Sequence, residues 1–146
     1  MGVNGAYSLV VATMADGSHT LRAKTTDDAG NISSASTALV VVVDTVDPAV
    51  PTLTGTSPSS TSTPVISGVA EANATVTILA GGQALSQATA DAGGNYTFTP
   101  GSPLGDGTHL LSATATDAAG NTGTASAVFS LLIDTGVPGS PVLSVT

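Results

Sequence analysis

Nearly all the chemistry open to this chain lies in ten acidic side chains. Asp16, Asp27, Asp28, Asp44, Asp47, Glu71, Asp91, Asp106, Asp117 and Asp134 all stand among turn-forming or linker residues, and none falls in a run that reads as a strand. Carboxylates and amide oxygens at loose spacing suit a hard cation. Calcium accepts about 6–8 oxygens in a flexible shell, whereas magnesium demands a tighter octahedron. Zinc would call for His or Cys. The chain has no Cys, and its two histidines, His19 and His109, have no second His beside them, so a zinc site is not expected. Nor does any Ser-His-Asp spacing suggest a nucleophilic triad.

The same acids have a plainer reading. In GNISS-preceding DDA, in DAGGN (91–95) and in DAAGN (117–121), an Asp starts a short turn that ends in Gly-Asn. Asp caps such turns, and Gly and Asn tolerate positive φ. Asn121 could therefore be a calcium ligand or only the positive-φ residue of its turn, and both readings stand at this level.

What positions these residues is a repeat. Residues 17–56 align without a gap on residues 107–146 at an offset of 90, so that Asp27 falls on Asp117, Asn31 on Asn121, Asp44 on Asp134 and Pro48 on Pro138. A period of that size is a small domain, not a solenoid turn. Short β-branched runs separated by Gly, Pro, Asn and Asp predict seven strands in the complete repeat. They are A near 50–56, B 64–69, C 74–79, D 83–90, E 95–99, F 109–116 and G 125–133. On F, Leu111, Ala113 and Ala115 alternate with Leu110, Ser112, Thr114 and Thr116 and are expected to point inward. The earlier copy keeps the phase, with Leu21 and Ala23 inward and the basic residues Arg22 and Lys24 outward. Phe129, Leu131 and Ile133 match Leu39, Val41 and Val43, and Tyr96–Phe98 echoes Tyr7–Leu9, with Tyr96 expected at the edge of the core.

Seven short antiparallel strands in this length predict an all-β, immunoglobulin-like antiparallel β-sandwich in tandem repeat. The chain then divides into residues 1–43 (strands E to G of one repeat), 44–134 (a complete repeat) and 135–146 (a linker and the first strand of the next). The two partial modules are expected to fray or to exchange strands with another chain through exposed edges. Threading the strands up and down a sandwich gathers the B–C, D–E and F–G loops at the end where strand A begins. That end would hold Glu71, Asp91, Asp117 and Asn121, the linker would add Asp44 and Asp47, and the preceding E–F turn would add Asp16. Gathered carboxylates repel one another without a counter-ion, which makes Asp44, Asp47 and Asp117 the leading calcium ligands, followed by Glu71 and Asn121, then Asp91 and Asp16. At the second junction Val137 replaces Asp47, and a complete site is not expected there.

Ten acids against two bases give a net charge of -8, which excludes nucleic acid and anionic membrane surfaces as partners. Without Cys there is no disulfide framework, and bound metal is one substitute. The longest apolar run, 38–43, is far too short to span a bilayer. The chain shows no signal peptide and begins in mid-repeat, as an excised fragment would.

The pattern GTHLLSATATDAAGN…ASAVFSLLIDTGVPGSP resembles the bacterial Ig-like repeats of large surface adhesins and biofilm-associated proteins. The resemblance runs in register over nearly the whole chain. It implies a secreted, type I-exported stalk of non-catalytic modules, stiffened in several members by calcium between domains. On this chain the motif falls on Asp117, Gly120 and Asn121 and on Asp44 and Pro48. The expected function is thus an extracellular spacer in adhesion or biofilm formation, with neighbouring repeats as its partners. A glycan- or protein-binding module, or an accessory domain of a secreted enzyme, is the alternative. Tandem copies favour a spacer, and the lack of Trp leaves no aromatic platform for sugar.

Overall fold

The structure, a computed structural model, describes residue 8 and residues 10–144. The echo at Tyr7–Leu9 lies outside the described residues. Among the described residues all regular elements are strands: β1 Gly17–Leu21, β2 Leu39–Val43, β3 Thr54–Gly55, β4 Ile66–Val69, β5 Thr75–Ala80, β6 Gln83–Thr89, β7 Asn95–Phe98, β8 Gly107–Thr116 and β9 Phe129–Ile133. The chain divides into two compact units, Met1–Thr45 and Val46–Thr146.

The second unit is the sandwich. One sheet has the order β3-β4-β7 and the other β6-β5-β8-β9, all antiparallel. Alternation of side chains drives the two faces together. Leu111, Ala113 and Ala115 of β8 and Leu131 and Ile133 of β9 are fully buried, whereas Leu110 is 55% exposed. Leu111, Ala113, Leu131 and Ile133 meet Val76 and Ile78 of β5, and Ile66, Tyr96 and Phe98 from the facing sheet, in one apolar cluster. Tyr96 is buried as part of this cluster, on the edge strand β7. Its hydroxyl donates to the Thr52 carbonyl at 2.6 Å, which lets a phenol be buried, and burial pushes its pKa up to about 12.

The two strands that fall furthest short of the pattern, A and G, do so for the same reason. Strand A narrows to Thr54–Gly55 because the Thr52 hydroxyl, not a backbone carbonyl, accepts the Val69 N–H at 3.0 Å. Strand G begins at Phe129, not at residue 125, because the buried Ser126 hydroxyl takes the Ala113 N–H at 3.0 Å. The free edge of β9 is covered by residues 57–59. The Leu132 N–H donates to the Ser57 hydroxyl and the Ser59 N–H to the Leu132 carbonyl, which leaves this edge little capacity to recruit a foreign strand.

The first unit contains a two-stranded sheet, β1-β2. Its register runs from Gly17↔Val43 to Leu21↔Leu39, and that of β8-β9 runs from Gly107↔Ile133 to Leu111↔Phe129. The pairs correspond one for one across the 90-residue offset. Leu21, Ala23, Val41 and Val43 are half-buried and Arg22 and Lys24 exposed, as the phase of the repeat requires.

Candidate metal-binding turns

Asp27, Asp91 and Asp117 build one turn three times. In each, the Asp N–H donates to the carbonyl of the Asn four residues on, at 3.0, 2.8 and 3.0 Å. The Asp side chain then folds back into the loop. Asp117 Oδ1 accepts the N–H groups of Ala119, Gly120 and Asn121 at 2.8, 2.7 and 2.9 Å, and Oδ2 accepts the Asn121 side-chain amide at 2.8 Å. Asp27 accepts from Ala29 and from the backbone and side chain of Asn31. Asp91 accepts from Gly93 and from the backbone and side chain of Asn95. Gly120 supplies the left-handed residue at φ 98°, and Gly30 and Gly94 do so in the other copies. Asn121 is thus not the positive-φ residue of its turn; it donates its amide to the Asp that opens it.

Donors aimed at a carboxylate favour its charged form. The Asn121 side chain, with the turn N–H groups, holds the Asp117 carboxyl below 3.8. The Asn31 side chain leads the same effect at Asp27, and the Asn95 N–H leads it at Asp91.

Within the second unit, the loops carrying Glu71, Asp91 and Asp117 do share one end. The Ala70 N–H donates to the Gly94 carbonyl and the Asn73 N–H to the Asp91 carbonyl, while Thr75 and Thr116 are register partners just inside the loops. Sharing an end does not bring the carboxylates together. Within either unit, among the described residues, no three His, Asp or Glu side chains stand close enough to hold a metal. Asp91 and Asp117 direct much of their acceptor capacity into their own turns. Glu71 and Asp47 are exposed. Pro48, one residue on, is buried, and its carbonyl rests so close to Gly123 that a Cβ there would collide with it.

Asp16 does something the sequence reading did not anticipate. Its Oδ1 accepts both the N–H and the hydroxyl of Thr45, at 3.1 and 2.9 Å. Asp106 holds Thr135 identically, at 3.1 and 2.8 Å. Asp106 was absent from the candidate set. The available signal was an Asp-Gly and a later Asp-Thr kept at the same separation in both copies.

These folds and turns define an immunoglobulin-like sandwich module. The sequence profile of the bacterial Ig-like domain matches residues 1–45 and 52–135, and the chain belongs to that family. It is also similar to a solved structure described as a tetra-tandem repeat in the extending region of a large adhesion protein, with 25% identity and a TM-score of 0.52. The match covers 84% of this chain and 33% of that one, so the chain spans a third of the structure it resembles. No curated protein sequence matches the chain. Among the described residues no helix is long and apolar enough to cross a membrane.

Proposed function

We propose that this chain is a non-catalytic spacer segment of an extracellular bacterial adhesin stalk. The observation that carries the reading is the strand pair copied register for register at a 90-residue offset. Spacers are lengthened by duplication, whereas a binding tip has one set of recognition side chains. The similarity to an extending-region repeat supports the same reading. Export to the cell surface, a part in biofilm formation, and strand exchange between chains at the partial modules belong to the proposal as well.

The test is to present the parent array on cells with whole repeats removed or added. Spacer modules should change the distance at which adhesion occurs and leave its specificity intact. The isolated fragment should bind neither glycans nor host cells. Saturable binding, for example in the groove of about 440 Å³ between Gln87–Thr89 and Asn95–Thr97, would instead favour a ligand-binding module.

Calcium is the finer part of the proposal, with Asp44, Asp47 and Asp117 as its ligands. The acidic excess and the paired linker aspartates support it. Calorimetric titration of Ca²⁺ into chelator-stripped protein, with Mg²⁺ as control, should give saturable, calcium-selective heat that Asp44→Ala with Asp117→Ala abolishes. A bound ion would also raise the melting temperature by mass action. No heat and unchanged melting in chelator would leave a spacer that works without metal.

A further inference from the structure

We propose that Asp16 and Asp106 are latch residues that fix, without metal, the path of the chain as it leaves the last strand of each unit. This deepens the spacer reading, because a module that transmits length must hold the course of its exit.

The β8-β9 pairing ends at Gly107↔Ile133, and residues 135–144 carry no strand. The Thr135 N–H, two residues past β9, has no strand partner to donate to. Asp106 stands one residue before β8, and Gly107 at φ 130° turns the chain there into the strand. The Asp106 carboxylate thereby meets Thr135 and takes both of its donors. Hydrogen bonds to an ionised acceptor are about twice as strong as neutral ones, and two donors on one residue fix its orientation as well as its position. A second brace closes the turn from behind, as the His109 Nε2–H donates to the Gly105 carbonyl at 2.8 Å.

The first unit repeats the device with different neighbours. Gly17 has φ 125°, Asp16 holds Thr45, and the His19 Nε2–H donates to the Ala15 carbonyl at 2.7 Å. The turn reads ADGSH in one unit and GDGTH in the other. The residues that differ take no side-chain part in the latch, and Asp, Gly, His and the later Thr are the ones retained. Two occurrences of the same bonds argue for a built feature. The hydroxyl requirement explains why a Thr follows both Asp44 and Asp134.

Amide hydrogen exchange on the whole chain tests this. In the wild type, the Thr45 and Thr135 amides should be protected, and chelator should not change that. Asp106→Ala should speed exchange at Thr135 by roughly tenfold, the loss expected for a charged acceptor, while Leu131 and Thr45 keep wild-type rates. Asp16→Ala should do the converse. If Asp106→Ala does not fold, Thr135→Val should lose protection at its own amide several-fold and Thr135→Ser should retain it. Rapid exchange at Thr135 in the wild type, protection that vanishes on chelation, or protection that survives loss of the acceptor would overturn the latch. A fragment that binds glycan would defeat the spacer reading and leave the latch standing.

Discussion

A single aspartate organises each Asp-x-x-Gly-Asn turn by replacing the solvent that its N–H groups would otherwise need. The carboxyl proton is held more weakly in the folded chain than in the unfolded one at Asp27, Asp91 and Asp117. The stability each contributes is therefore complete above the unfolded value near 3.8 and is lost as the pH falls through the lower folded value. Thermal melts of the wild type should fall steeply below about pH 4. Asp117→Asn should flatten that decline, since an amide has no proton to gain, and a melt series from pH 2 to 6 reads the difference. At neutral pH Asp117→Ala should lower the melting temperature by roughly 5 °C, the loss typical of a capping side chain in a domain of this size. Gly120→Ala should also destabilise, because its φ of 98° is open to glycine and strained for alanine.

At the scale of elements, the period-two pattern made the strands readable, since inward Leu111, Ala113 and Ala115 leave one phase for β8 and hence for its partners. The most misplaced boundaries fall where a hydroxyl stands in for a backbone group, at Thr52 and Ser126, and composition does not distinguish such a Ser or Thr from a strand residue. The site was legible to the same depth. The order of strands predicted that the loops of Glu71, Asp91 and Asp117 share an end, and the register agrees. Whether a carboxylate faces outward to a cation or back into its turn depends on side-chain rotation, which the residue types leave open. Close sheet packing gives a direct test. A Cβ at Gly68 would strike the Thr52 carbonyl and the Tyr96 ring, both held by the hydrogen bond between them. Gly68→Ala should cost about 1–3 kcal/mol in a urea titration, and Gly101→Ala, where nothing stands nearby, should cost far less.

For the whole molecule, the two units carry the same strand pair in unequal settings. In the second, Leu111 lies against a second sheet and is fully buried. In the first, its counterpart Leu21 is only half-buried, and among the described residues of that unit none is buried outright. Most strand stability comes from such packing, and a two-stranded sheet without it is marginal in water. Leu111→Ala should therefore cost about 2–5 kcal/mol, transfer and cavity together, whereas Leu21→Ala should cost well under half of that, since little water is excluded from its site. Amide exchange along a denaturant series separates the two without mutation. Amides of β1 and β2 should open at markedly lower urea than those of β8 and β9, although the hydrogen-bond registers are identical. Opening of all four strands at one urea concentration would mean that the first unit draws stability from something other than its own sheet. Because the hydrogen-bond register is matched between the pairs, the gap between the two midpoints reports what the opposing sheet contributes together with the differing side chains of β2 and β9.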